Sequence, residues 1–484
     1  MANTAEPMWQ RRVELKPAAG LFDSSMSELA PDTIYALATA PGVSAVAVIR
    51  ISGPHAATAV EAITRRKLPR PRLVTRRRLL DLGTAAAFDD ALVLWFPGPN
   101  SFTGEDVAEI QLHGSRATSR AALSALGQVP GLRLARAGEF ARRAFLHGKL
   151  DLAQIEALAD LIDAETSQQA QQALRQLSGG LGAACESWRQ RIMRARAHAE
   201  AEIDFPDEDI PAGMIRALYP ELIVITEEID KILQGDRRGE RLRDGFSIAI
   251  LGPPNAGKSS LLNAIAGREA AIVSTVAGTT RDIIEVAMDL GGWPVTLADT
   301  AGLRELDDPR ASAHAEIEIE GMRRTRQRAS IADLRLVVLP ADSGLAALED
   351  PALRDIIDPA TLIVWNKIDL VPGFVPPVPN YGRQAIAISA RDGSGLDRLL
   401  GILEAQAQAA LESSGAEAIM ITRARHREVL TVARNALYRA RGMEDAELIA
   451  EELRLAAESI GRITGRSGVE DMLDVLFASF CIGK

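Results

Sequence analysis

The sequence predicts an α/β multidomain protein in which an α+β domain comes first and an all-α domain, discontinuous in sequence, carries a second α/β domain as an insert. Three observations predict it. Between Asp32 and His147, short apolar runs such as Ala45–Ile51 and Ala91–Phe96 are punctuated by Pro-Gly and Gly-Pro pairs, the chemistry of strands and turns with helices between them. Before residue 245 and again after residue 406, apolar residues recur at helical spacing. Between those stretches, a glycine-rich string ending in Lys-Ser follows an apolar strand and opens a helix.

At roughly 150 residues per domain, the 484 residues hold about three domains. Residues 1–27 have no sustained period and contain Pro7, Arg11, Arg12 and Pro17, so they are expected to be a loose extension or a misplaced start. Residues 28–148 are the α+β domain. Residues 149–244 begin the helical domain: Leu152, Ile155, Leu158, Leu161 and Ile162 recur at helical spacing in an Ala- and Gln-rich stretch. A break falls near Phe205-Pro206, and a further helix spans Met214–Leu233. The charged segment Gly235–Gly245 reads as a linker, after which Phe246–Leu251 is a buried strand opening the inserted domain, residues 245–406. Residues 407–484 return to amphipathic helices such as Ala446–Ile460 and Val469–Phe480.

Lys and Arg number 55 against 65 Asp and Glu, so overall charge cannot hold a nucleic acid and any such contact must be local. Cys185 and Cys481 are too few for a disulfide framework, and no apolar run approaches the roughly 20 residues that span a bilayer. The first residues lack the apolar core of a secretory signal, so a reduced cytoplasmic compartment without membrane contact is expected. One dense charge run, Arg65–Arg78, holds eight basic residues with Pro69 and Pro71 among them. It reads as a solvated loop or as a local RNA contact.

Gly252-Pro253-Pro254-Asn255-Ala256-Gly257-Lys258-Ser259 fits the phosphate-binding pattern G-x-x-x-x-G-K-[ST] in the required strand-to-helix setting. Its glycines let backbone N–H groups approach phosphates, Lys258 brings a mobile positive charge, and Ser259 offers a hydroxyl to Mg²⁺. Asn366-Lys367-Ile368-Asp369, after the apolar Thr361–Trp365, selects guanine, because the Asp369 carboxylate can accept from both N1–H and the exocyclic amine. Asp299-Thr300-Ala301-Gly302 supplies a second metal-side carboxylate and a glycine N–H for the γ-phosphate. Thr279-Thr280 lies where a switch loop belongs, and Ser389-Ala390-Arg391 completes the base pocket.

In this order and spacing the strings predict a Ras-like P-loop GTPase domain. Its candidate GTP contacts in the phosphate loop are Asn255, Ala256, Gly257, Lys258, Ser259 and Ser260. The switch contributes Ser274, Thr275, Val276, Ala277, Gly278, Thr279 and Thr280, followed by Asp299, Thr300, Ala301 and Gly302. The base side contributes Asn366, Lys367, Asp369, Ser389, Ala390 and Arg391. Leu303 stands where Ras-like enzymes carry a water-orienting Gln, and leucine cannot orient water. Glu316, Glu318 and Glu320 either supply that function or form a solvated helix face.

Further strings extend along the chain: Asp32-Thr33-Ile34, Ala38-Thr39-Ala40-Pro41-Gly42, Arg50-Ile51-Ser52-Gly53-Pro54, Phe102-Thr103-Gly104-Glu105-Asp106-Val107, Gly138-Glu139-Phe140, Lys149-Leu150-Asp151-Leu152-Ala153-Gln154 and the terminal Cys481-Ile482-Gly483-Lys484. From about Asp32 to Lys484 the chain therefore resembles the MnmE (TrmE) family of tRNA-modification GTPases. The resemblance implies an N-terminal folate-binding domain that forms a homodimer, a discontinuous helical domain and an inserted G domain. It implies work with an MnmG-type FAD protein to place an aminomethyl or carboxymethylaminomethyl group on carbon 5 of the wobble uridine of tRNA, the carbon coming from a 5-formyl or 5,10-methylene tetrahydrofolate.

Carried over by matching motifs, the folate contacts are Arg50, Glu109, Lys149 and Lys484, with Cys481 beside them. Mg²⁺ falls on Ser259 and Thr280, and K⁺ on Asn255, Ser274, Val276 and Thr279. The catalytic glutamate precedes Gly321-Met322-Arg323-Arg324, which selects Glu318, with Glu316 and Glu320 as rivals because this chain is longer after Arg304. A competing reading is an RNA-binding ribosome-assembly GTPase, suggested by the basic run and by Gly465-Arg466-Ser467-Gly468, a G-x-x-G loop. Such a loop needs a three-stranded sheet beside it, whereas Ala416–Phe480 reads as helical.

Overall fold

The computed structural model describes residues 32–204, 214–234, 237–268, 271–272, 285–299, 330–344, 357–358, 361–377, 384–412, 421–468, 473, 476–478, 480 and 483. The extension 1–27 and the break at Phe205-Pro206 lie outside the described residues. The chain divides into two compact units, one running to Ile155 and including Gly468–Lys484, the other Glu156–Ser467.

The first unit is built on six strands: β1 (Thr33–Leu37), β2 (Val46–Ser52), β3 (Thr75–Leu80), β4 (Ala87–Phe96), β5 (Val107–His113) and β6 (Leu132–Leu134). They lie in the order β3-β4-β5-β2-β1-β6, antiparallel except for the β1–β6 pair. Helices α1 (Ala56–Thr64), α2 (Arg116–Gly127) and α3 (Glu139–Leu146) accompany them. Because side chains alternate along a strand, Ile49, Ile51 and Ile110 enter a core with Val60, Ile63 and Leu126, while Arg50 and Glu109 go to the opposite face.

Arg65–Arg78 is not wholly a loop. From Thr75 it is the edge strand β3, because Leu79 is fully buried against the sheet while Arg76 and Arg78 extend to solvent on the other side. The contact clustering groups the C-terminal segment with this first unit. A Cβ on Gly483, where φ is 105°, would lie 2.1 Å from the Leu37 carbonyl oxygen, so only glycine allows the terminus this approach to β1. Of the Val469–Phe480 segment, 473 and 476–478 are helical, and the remainder lies outside the described helix.

The second unit holds strands β7 (Phe246–Leu251), β8 (Ala271–Ile272), β9 (Glu285–Leu290), β10 (Trp293–Asp299), β11 (Leu334–Pro340), β12 (Thr361–Asn366) and β13 (Ala385–Ala387). Their order is β13-β12-β11-β7-β10-β9-β8; β13, β12, β11, β7 and β10 run parallel, and β9 and β8 extend the edge in antiparallel pairs. The parallel strands are apolar on both faces, as a covered sheet requires: Leu336, Val338 and Val364 enter one core, Val337, Leu339 and Trp365 the other.

The helices of this chain continue as α4 (Leu152–Ile162), α5 (Ser167–Leu177), α6 (Gly180–Asp204), α7 (Met214–Leu233), α8 (Arg238–Asp244), α9 (Lys258–Ala266), α10 (Leu396–Leu411), α11 (Ala424–Arg441) and α12 (Ala446–Thr464). The presumed linker Gly235–Gly245 contains α8, whose Leu242 is buried in the core of the seven-stranded sheet. That core also takes Ala407 and Leu411 of α10, so the sheet's packing continues beyond residue 406. Helices α11 and α12, after the sheet in sequence, pack against α6 and α7, before it. Tyr438 donates to Asp230 at 2.8 Å and Tyr219 to the Met443 carbonyl at 3.0 Å. Among the described helices none is long and apolar enough to cross a membrane.

Candidate functional site

In the seven-stranded sheet the carboxyl ends of β7, β10 and β12 share one edge, where open α/β sheets receive ligands: Asp299 pairs with Ile250, and Asn366 with Pro340. The chain leaves β7 through Gly252 and enters α9 after Gly257. Gly257 has φ 89°, and a Cβ there would lie 2.3 Å from Asn366 Nδ2, so any larger residue would separate the two loops. Asn255 is exposed with φ 60° at the tip of the loop. Lys258 is buried, and its ammonium donates to the carbonyls of Gly252 at 3.0 Å and Pro253 at 2.9 Å. Both carbonyls are weak acceptors at the mouth of the loop that a phosphate can replace. Ser259 and Ser260 lie exposed in the first turn of α9.

Asn366 ties the loops together. It is buried, its Nδ2 donates to the Ala256 carbonyl at 2.9 Å, and its Oδ1 accepts from the Ala390 N–H at 3.0 Å. The phosphate loop, the end of β12 and the loop after β13 thus share one side chain. Lys367 follows in a left-handed conformation, and Asp369 is exposed in a short 3₁₀ turn, Ile368–Leu370. Ser389 is fully buried and donates to Asp369 Oδ1 at 2.8 Å, while the Asp392 N–H donates to Ser389 Oγ at 3.3 Å. These bonds aim the carboxylate without neutralising it. Sequence reasoning placed Ser389 in the base pocket but missed this orienting bond, for which proximity in the chain gives no signal.

Several expected residues lie outside the described positions: Ser274, Thr275, Val276, Ala277, Gly278, Thr279, Thr280, Thr300, Ala301, Gly302, Glu316, Glu318, Glu320, Cys481 and Lys484. Asp299 is described as the last residue of β10. The structure thus brings together the phosphate loop, Asn366-Lys367-Ile368-Asp369 and Ser389-Ala390-Arg391.

In the first unit Arg50 and Glu109 face each other across β2 and β5, and Arg50 donates to Glu109 Oε1 from Nε at 3.0 Å and Nη2 at 2.9 Å. The guanidinium lies 5.2 Å from the ring centre of Phe102 and 5.8 Å from that of Phe140. Lys149 is exposed and donates to the Pro99 carbonyl at 3.0 Å. The two aromatic neighbours were not anticipated as site residues, although both fall within strings noted above.

Beside this face Arg143, 1% exposed, is bound by Asp32 at 2.6 Å, Glu105 at 3.1 Å and Glu139 at 3.2 Å. Burial alone would raise the Glu139 carboxyl, but hydrogen bonds from Arg133 and from the Arg136 N–H, with the charges of Arg133 and Arg143, hold it down to about 2. Ser52 Oγ joins the network through Glu105 Oε2 at 2.6 Å and Thr103 Oγ1 at 2.7 Å. The network pins the strings around Asp32, Phe102 and Gly138 to one another.

The chain is similar to known proteins along most of its length. A family model described as the MnmE helical domain matches residues 152–481, and one described as the GTP-binding protein TrmE N-terminus matches residues 33–149. A tRNA modification GTPase MnmE of Parvibaculum lavamentivorans is 54% identical over 461 residues, covering 94% of this chain and 100% of that protein. The protein of the same name in Paramagnetospirillum magneticum is 53% identical over 453 residues, covering 94% and 100%. That of Rhodospirillum rubrum is 50% identical over 466 residues, covering 94% and 99%.

Proposed function

Because the chain belongs to the MnmE family of tRNA modification GTPases, we propose that it binds GTP at the edge of the seven-stranded sheet and couples its hydrolysis to a carbon-5 modification of the wobble uridine of tRNA. The observation that carries this reading is the Asn366 bridge between Ala256 and Ala390, which supports one pocket with a phosphate end and a base end. Lys258 exchanges the Gly252 and Pro253 carbonyls for β- and γ-phosphate oxygens, and α9 presents its N-terminal N–H groups to the same charge. Asp369, aimed by Ser389, accepts from the two guanine donors. Glu318 holds the attacking water, Leu303 being unable to do so.

The oxygen donors suit hard cations: Ser259 and Thr280 hold Mg²⁺, and Asn255, Ser274, Val276 and Thr279 hold K⁺. The exposed, left-handed Asn255 fits the latter assignment. When bound, these ions neutralise charge on the transferred phosphoryl group. The Arg50–Glu109 pair, with its guanidinium near two aromatic rings, suits the flat, amidine-bearing ring of a tetrahydrofolate derivative, 5-formyl or 5,10-methylene. Lys149 and Lys484 take its acidic tail, with Cys481 nearby. The enzyme works as a homodimer with an MnmG-type FAD protein, in the cytoplasm, and the seven-stranded sheet is a G domain inserted into the helical one.

Asp369→Asn tests the reading. Binding should shift from GTP towards xanthosine triphosphate by about two orders of magnitude, since a polar mismatch of this kind costs several kcal/mol. Unchanged GTP affinity would remove Asp369 from the base pocket.

A further inference from the structure

We propose that the cationic strip running from the end of α1 into the edge strand β3 is the surface on which the first unit docks the phosphate backbone of tRNA. The proposal rests on the tRNA-modifying reading above and adds a place for the substrate. Within 65–78 there is no acidic residue, in a chain whose net charge is −10. Arg65, Arg66, Lys67 and Arg70 are exposed, and so are Arg72, Arg76 and Arg78. Nearby carboxylates do little to cancel them: Asp90 serves both Arg76 at 3.0 Å and Arg78 at 3.5 Å.

The backbone aligns the last of these charges as a row. β3 is the outermost strand of its sheet among the described residues, and Arg76 and Arg78 stand on one face about 7 Å apart. Leu79 anchors the strand in the core, and the Arg72 guanidinium lies 5.6 Å from the Phe96 ring centre. The row therefore belongs to a fixed sheet. A second copy of the chain is a poor occupant, because pairing β3 with itself would oppose arginine to arginine. A polyanion with regularly spaced phosphates fits, and release of its counterions supplies the affinity.

The test uses the full chain and unmodified tRNA. In Arg66→Ala/Lys67→Ala/Arg70→Ala, three exposed side chains outside both candidate sites are truncated. Affinity at low salt should fall roughly tenfold or more, and the slope of log K against log salt should drop by about two. Arg66→Lys/Arg70→Lys should keep the wild-type slope, and GTP hydrolysis should be unchanged in both. A control triple, Arg175→Ala/Arg194→Ala/Arg398→Ala, should also keep it. If the first triple binds tRNA with wild-type affinity and slope, the strip is not the docking surface, while tRNA modification stands. If the oligomeric state changes and tRNA binding does not, the strip is a self-contact and the proposal falls. If the wild-type chain binds no tRNA, the proposal falls as well, and wobble-nucleoside mass spectrometry of a strain lacking the protein then judges the modification reading separately.

Discussion

The two sheets assemble their candidate sites in opposite ways. In the seven-stranded sheet, parallel strands deliver their carboxyl ends to one edge, so each contributing segment is a contiguous string just after a strand. In the six-stranded sheet the strands are mostly antiparallel, and Arg50 and Glu109 meet on a mid-strand face through a register that pairs residues 59 apart. A parallel sheet concentrates chemistry in its loops. An antiparallel sheet writes it across its strands, one side chain at a time.

The sharpest way to break this contrast is to remove the one side chain that makes three loops into one site. Asn366→Ala leaves the Ala256 carbonyl and the Ala390 N–H without their partner. Each orphaned group costs about 1–3 kcal/mol, so GTP affinity should fall by roughly two to three orders of magnitude. Folate binding should be unaltered. Calorimetric titration of both ligands checks it, and a GTP affinity within twofold of wild type would mean that the loops hold their positions without Asn366.

On the antiparallel side the corresponding change is milder. Glu109→Gln keeps the shape of the Arg50 partner but removes its charge, and both groups are about four-fifths buried. A charge-assisted bond lost at this depth is worth about 1–2 kcal/mol, so 5-formyl-tetrahydrofolate should bind roughly tenfold more weakly while GTP binding stays constant. Equal folate affinity in variant and wild type would detach this face from the cofactor.

Legibility in the sequence follows the same contrast. The strings at 252–259, 366–369 and 389–391 could be placed after strands because each is short and follows a mostly apolar run. The Asn366 bridge could not, since its two partners are set by strand order and not by spacing. Edge strand β3 was hidden because only Leu79 and Leu80 are apolar among three arginines, so it lacks a clear alternating signal. Helix α8 was hidden by charge: of its seven residues only Leu242 enters the core. The network around Arg143 was invisible as a network, although each member stands in a recognisable string, because its contacts join residues as far apart as 111 positions.

The smallest expected effect separates the two units by pH. The second unit has its own buried cluster, in which His426 of α11 donates from Nε2 to Glu156 of α4 at 2.9 Å and Arg425 binds the same carboxylate at 2.5 Å. Burial lowers the His426 pKa from its ordinary 6.5, against the pull of Glu156, so the ring is neutral. For Glu156, burial acts upwards, but the bonds from His426 and Arg425 prevail and hold it down to about 2. A depressed histidine means that the unfolded chain binds a proton the folded one refuses. Stability is then full above 6.5 and is lost as pH falls below it, by at most about 1.4 kcal/mol per pH unit. Among the described residues no histidine bonds the carboxylates around Arg143, and Glu139, ordinarily at 4.5 and here near 2, keeps its contribution until the pH falls below the usual carboxylate range. Between pH 7 and 5.5 the helices should therefore lose urea resistance before the six-stranded sheet does. Asp160, raised by burial against Arg423 and Arg243, acts in the opposite sense, so the decisive quantity is a difference between curves. Subtracting the urea midpoints of His426→Gln from those of wild type, read by helical circular dichroism, should leave a slope that falls with acid. A flat difference would mean that the His426 pKa is the same in the folded and unfolded chain, and a slope of the opposite sign that the folded protein holds the proton.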